Sequence, residues 1–412
     1  MTKTDTIGMG SDVFSTADIL LPHNISMEKW SVIACDQFSS EREYWERVRT
    51  FAGDEPSTLN MIIPEAFLFD ADGDASAGII SETMEKYNAD GLFRVVEDSF
   101  IYIVRTLPDG RERCGLVGAV DLEQYSFSGG AAPILASEGT VLERLPARIS
   151  IRRAARFELP HIMSFISDPN KTVIEPLAQI AGDLPLLYDF DLMEGGGHIK
   201  GMRVFGEAAE NVAAALHALQ ADGGILLVVG DGNHSLAAAK VYWDEIKRGM
   251  SPDERAAHPA RKALVEINNV FDPAIDFEAI HRVVFNVDRA DFIHALAEAM
   301  PGGSDYGLRW VSGGESGIVG VAAGCIGDML DGLVDFMDNY ARAKSCDIDY
   351  IHGAESVEHL ARSEGCVGLI LPSMDKSELF RTVANGGVFP KKSFSVGHAK
   401  DKRYYLECRE IV

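Results

Sequence analysis

Residues 224–243 constrain the fold more than any other stretch. The apolar run Gly224-Ile225-Leu226-Leu227-Val228-Val229 stops at Gly230-Asp231-Gly232, and Asn233-His234-Ser235 then opens a segment whose apolar residues recur at helical spacing. A run so short and so apolar reads as a buried strand, and the glycine break before helical periodicity reads as a strand-to-helix turn. Just upstream, Glu207 to Leu219 places Val212, Ala215, Leu216 and Leu219 on one helical face and leads straight into that strand. Strands alternating with helices in this way predict an α/β protein.

The remaining elements make the sheet mixed. Phe100–Val104 and Cys114–Val120 are apolar, β-forming runs joined through Pro108-Asp109-Gly110-Arg111, and an Asp-Gly step between two such runs is a hairpin signal. Ile19–Pro22 reads as a strand, as does Trp30–Asp36, which ends in a polar turn. Ser39–Arg49 reads as a helix with Ser39 or Ser40 as N-cap and Glu41 and Glu43 in its first turn. Ala263–Ile267 is a short apolar strand that carries an unexpected acid, Glu266. The fold class is therefore mixed α/β (α+β), a mixed sheet core flanked by helices. Beyond Val284 come helices such as Ala290–Met300 and glycine-rich loops at 302–304 and 312–317. They set a boundary near residue 286, with an α/β core over 1–285 and a smaller C-terminal α/β subdomain over 286–412 packing on it.

Composition bounds the function. With 63 acidic against 38 basic residues the formal net charge is -25, which opposes nucleic-acid binding because phosphate neutralisation dominates that affinity. No apolar run approaches a membrane span, Met1–Asp5 lacks a secretory signal pattern, and six scattered cysteines form no CxxC pair. A cytoplasmic protein with reduced thiols follows, acting on a small-molecule substrate without nucleic acid or membrane, and free to form a homodimer. One local exception to the acidic balance is the basic stretch Arg144, Arg148, Arg152, Arg153 and Arg156, able to receive an anion.

A glycine turn at a helix start presents backbone N–H groups to an anion at the positive end of the helix dipole. Gly232, Asn233, His234 and Ser235 are thus candidate phosphate-binding residues, with Asn233 as helix cap and Asp231 at the strand end able to hold Mg²⁺ or take a proton. Asp36 follows its own strand in the same way and can converge on the same sheet edge. Glu138, in Ser137-Glu138-Gly139-Thr140, precedes Arg144 and Arg148, and a carboxylate facing arginines across a phosphate pocket is one arrangement that suits phosphoryl transfer. Lys392 is a further anion contact. Cys35 has no visible base, and Glu158, His161 and the pair His281-Arg282 each read as structural.

Asp231-Gly232-Asn233-His234-Ser235 in this setting resembles the Asp-Gly-His-His-Arg signature of domain-of-unknown-function family 1015. Cys35-Asp36-Gln37, Gly115–Gly118, Ser137–Thr140, Ala260–Glu266, Ile280–Arg282 and Lys391–Ser393 follow in that family's order. The signature is in turn similar to the phosphate motif of the ParB and sulfiredoxin superfamily, which includes kinases of free L-serine. That resemblance implies a ParB/sulfiredoxin-like phosphate site, a Mg²⁺-dependent small-molecule kinase using ATP or ADP, free serine as leading acceptor and Glu138 as the acceptor-side acid. Asn233 and Ser235 replace the signature's first histidine and its arginine, which removes one cation from the phosphate cradle, and Arg144, Arg148 or Lys392 are the candidates to restore that charge from elsewhere. The competing readings are a nucleotide-responsive, non-catalytic regulator and a hydrolase of a small phosphorylated or amide substrate.

Overall fold

In the computed structural model, which describes residues 13–67, 73–221, 223–385 and 387–412, the strands form an eleven-stranded sheet, a six-stranded sheet and two two-stranded sheets. Met1–Asp5 lies outside the described residues. Contacts divide the chain into two units. The first holds the described residues up to Leu135, Thr140–Ile275 and His398–Val412, and the second holds Ala136–Gly139 and Asp276–Gly397.

The first unit carries an eleven-stranded sheet among its described residues. Its path runs Leu186–Asp191, His198–Val204, Phe93–Thr106, Glu112–Asp121, Lys262–Asn269, Met163–Ile166 and Leu227–Asp231, and short strands end it. Neighbours from Leu186–Asp191 to Leu227–Asp231 are antiparallel except Lys262–Asn269 with Met163–Ile166, which are parallel, as are the short terminal strands Tyr125–Ser126 and Ile134–Ala136. The mixed sheet follows from the Asp-Gly hairpin: Thr106 faces Glu112, Gly110 takes φ 88, and the Asp109 carboxylate accepts the Arg111 N–H at 3.0 Å. Helix Glu207–Leu219 buries Val212 and Leu216, the apolar face its spacing predicts. Helices Leu145–Ala154 and Asn233–Ile246 pack through Leu145, Ala237 and Ala238.

The acid in the central strand is matched from far away. Glu266 accepts hydrogen bonds from Asn268 at 3.0 Å and from Arg403, which also binds Glu407, and Tyr188 donates to Glu407 at 2.6 Å. A buried charge so paired satisfies what an isolated one cannot.

Three local expectations need correction. Trp30 closes a short helix, Met27–Trp30, because Ser26 caps it by accepting the Lys29 N–H, and the strand that follows is only Val32–Ile33. The next helix spans Arg42–Ala52 with Glu41 at the N-cap and no side-chain cap bond, so neither Ser39 nor Ser40 caps it. Gly302-Gly303-Ser304 opens the strand Gly302–Ser312 instead of a loop, since cross-strand pairing with Glu315–Val321 around Gly313-Gly314 overrides its weak β-propensity.

Among the described residues the second unit's six-stranded sheet runs Glu315–Val321, Gly302–Ser312, Cys366–Ile370, Phe277–Phe285 and Asp347–His352, with Phe394–Val396 also pairing Phe277–Phe285. All these pairs are antiparallel. Among the described residues no helix is long and apolar enough to cross a membrane. All six cysteines are free thiols.

Candidate active site in the first unit

Strand register assembles the site. Asp231 ends its strand opposite Met163, where the antiparallel neighbour begins, so the residues just before Met163 lie beside the glycine turn. Gly232 takes φ 76, and a Cβ there would lie 3.0 Å from the Ile162 Cα, so both backbone conformation and space demand glycine. His161 is thereby held at the turn, its Nε2 3.4 Å from Ser235 Oγ.

The C-terminal tail brings the remaining groups. Tyr404–Tyr405 pairs with Val32–Ile33, and the Ala34 N–H donates to the Arg403 carbonyl at 3.0 Å, which fixes the turn carrying Cys35 and Asp36. The Tyr405 hydroxyl accepts the Cys35 N–H at 3.2 Å, and its ring meets His161 edge-on at 5.2 Å. Lys402, itself buried, places Nζ 3.8 Å from Asp231 Oδ1.

These groups alter one another's proton affinities in opposite directions. Burial pushes Asp36 up, but His161, the Gln37 amide, Lys402 and Arg148 together outweigh it and hold the carboxyl below its usual range. Asp231 is raised, by burial first and by the Asp36 charge, with Lys402 opposing. Its Oδ2 is buried without a hydrogen-bond partner. Burial lowers His161 despite the two carboxylates, and Arg148 and Arg403 add to the effect, so the imidazole is neutral near pH 7. A neutral imidazole beside an ionised carboxylate can accept a proton and be stabilised once charged. Burial, then Asp36, pushes the Cys35 thiol up to about 12, which leaves it un-ionised and a poor nucleophile.

Asp36, Asp231, Gly232, Ser235 and Arg148 therefore come together, and His161 and Lys402 join them. The helix begins differently from expectation: Gly232 is the N-cap and Asn233, buried, is the first helical residue, with no side chain capping the end. His234 Nε2 accepts the Val141 N–H at 3.1 Å, so that nitrogen cannot also donate to a phosphate. Arg144, exposed, lies 3.6 Å from Glu65 Oε1, and Arg148 lies 3.7 Å from the same oxygen. The rest of the basic stretch is also matched with acid, in Arg152–Glu158 at 2.7 Å, Arg153–Glu245 at 2.8 Å and Arg156–Glu410 at 2.6 Å. Glu138 and Lys392 belong to the second unit. There Glu138 bridges in parallel to Phe389, and Lys392, at φ 58, places Nζ 4.5 Å from the centre of the Tyr350 ring.

Among the described residues no three His, Cys, Asp or Glu side chains are grouped as metal ligands. Magnesium needs only one or two carboxylates when water and phosphate complete its shell. The orphaned, buried Oδ2 of Asp231 is an oxygen suited to that part.

Fold and site define a mixed α/β protein with a buried acid, imidazole and ammonium cluster at a strand-to-helix turn. The chain belongs to the family described as protein of unknown function DUF1015, which matches residues 20–408. No curated protein matches it. Among solved structures it is similar to a conserved hypothetical protein from Pyrococcus furiosus, at 12% identity over 69% of this chain and 92% of that one, with a TM-score of 0.33. It is also similar to a free serine kinase mutant in complex with ADP (11% identity, 70% and 91% coverage, TM-score 0.38). A third is SbnI with a C-terminal truncation from Staphylococcus aureus (10% identity, 68% and 82% coverage, TM-score 0.37).

Proposed function

We propose that this chain is a cytoplasmic, Mg²⁺-dependent kinase that moves a phosphoryl group from ATP or ADP to the hydroxyl of a small molecule. The observation that carries the reading is the cluster at the Gly232 turn: two carboxylates pushed apart in proton affinity, a neutral imidazole, and the cations Lys402 and Arg148. Paired titratable groups driven in opposite directions mark acid and base assignments.

In the proposed step the acceptor hydroxyl gives its proton to His161, and Asp36 stabilises the imidazolium that results. The bond between the transferred phosphorus and the nucleotide's bridging oxygen breaks, a bond to the acceptor oxygen forms, and the nucleotide leaves one phosphate shorter. Lys402 and Arg148 offset the phosphate charge. Asp231 would hold Mg²⁺, which when bound neutralises charge on the phosphate oxygens.

Thermal unfolding with ATP or ADP and Mg²⁺ tests the binding half. Nucleotide at about 100 times its Kd should stabilise the native chain by about 2.7 kcal/mol. The shift should shrink in Lys402→Met. No shift at millimolar nucleotide would contradict the reading.

A further inference from the structure

A cavity of about 150 Å³ opens in the first unit beside His161. Its walls include Met61, Ile62, Ile63, Met84, Ile151 and Leu159, and Cys35, Arg148, His161 and Ser235 also line it. Four of the aliphatic residues, Ile62, Ile63, Ile151 and Leu159, remain half-buried, although Ile63, Ile151 and Leu159 pack against a core cluster that includes Met61, Met84 and Phe157. Apolar side chains left half-covered at the mouth of a core gain from an apolar guest. A cavity of this volume with aliphatic walls accepts a benzene-sized group.

The charges on the lining, Glu65, Arg148, Arg152 and Glu158, are paired with acid or base, Glu65 with Arg148 at 3.7 Å and Arg152 with Glu158 at 2.7 Å. The Glu158 carboxylate is already satisfied by Arg152 at 2.7 Å, Arg409 at 2.6 Å and the Leu264 N–H at 2.8 Å. A purine in this cavity would set ring nitrogens and an exocyclic amine against aliphatic walls, where unpaired polar atoms are costly. A phenyl or branched alkyl group has no such atoms. The polar groups lie where such a guest would carry its hydroxyl: His161 both lines the cavity and lies 3.4 Å from Ser235.

We infer that this cavity receives the apolar group of the acceptor, so that the substrate is a small alcohol bearing a benzene-sized or branched aliphatic group and not free serine. The inference rests on the kinase reading for the word acceptor, whereas occupancy of the cavity does not depend on it.

The test is binding of benzyl alcohol to the full chain without nucleotide or Mg²⁺, followed by NMR titration and located by soaking crystals. Saturable binding inside the cavity is expected. Ala147→Phe, which places a ring on a lining position, should weaken it by about tenfold or more while the melting temperature holds. Should that variant unfold, Met84→Ala gives an independent reading. The space it opens should favour 3-phenylpropanol over benzyl alcohol by about fourfold for each added methylene. No binding of benzyl alcohol, binding indifferent to both variants, or displacement of benzyl alcohol by adenosine would overturn the inference. A chain that binds benzyl alcohol yet transfers no phosphoryl group upholds the cavity and contradicts the kinase reading. A chain that phosphorylates serine while its cavity refuses benzyl alcohol does the reverse.

Discussion

His161 shows how much a single side chain's setting decides. In the sequence it follows a proline ahead of a strand and reads as structural, yet its burial near Asp36, Asp231 and Arg148 makes it the one neutral base in an otherwise charged cluster. Because its proton affinity in the folded chain is below the ordinary 6.5, the native state binds fewer protons than the unfolded state just under that pH. His161 therefore contributes stability above pH 6.5 that is lost as the pH falls through its lower folded value. Melting curves between pH 5 and 7 should show this loss in the wild type and a shallower one in His161→Gln; parallel curves would place the acid sensitivity elsewhere. Asp231 has the opposite sign. Burial raises it, so its ionised form costs stability at neutral pH, and Asp231→Asn should melt at the wild-type temperature or higher while losing activity. A marked drop in melting temperature would make Asp231 structural.

At the scale of elements, local signals were legible and distant ones were not. The strand, glycine turn and helix around Asp231 and the Asp-Gly hairpin are specified within a few residues, and both formed, although the strand runs Leu227–Asp231 instead of 224–229 and the helix is capped at Gly232 and not at Asn233. The boundary error at Trp30 arose where capping by Ser26 competed with an apolar run, whereas the helix at Arg42 starts with no side-chain cap bond, so the serines before it did not mark its beginning. Lys402 had no signal at all. It reaches Asp231 only because Tyr404–Tyr405 pairs with Val32–Ile33 from the other end of the chain, and no periodicity encodes such pairing. The same tail explains the buried acid of the central strand, since Arg403 bonds both Glu266 and Glu407. Replacing Arg403 with Met would strand two buried carboxylates, and removing one partner of such a network typically costs about 3–5 kcal/mol. Urea unfolding monitored by tryptophan fluorescence should record a loss of that size; a loss under about 1 kcal/mol would mean the network is solvated.

Across the whole molecule, a chain of net charge -25 still brings two cations, Lys402 from its C-terminal segment and Arg148 from helix Leu145–Ala154, to act on Asp36 beside the Gly232 turn. The acidic balance that disfavours nucleic acid does not prevent a small anion from being held where Lys402 and Arg148 act on Asp36. The central claim is phosphoryl transfer at that turn. It is tested most directly by incubating the full chain with Mg²⁺, benzyl alcohol or serine, and ATP or ADP labelled in the terminal phosphate, and counting label on the acceptor. The account predicts labelled phosphate ester from the wild type and a fall of roughly 10² to 10⁴-fold in both His161→Gln and Asp231→Asn. Equal labelling by wild type and both variants, or no labelled ester from any of them, would contradict it.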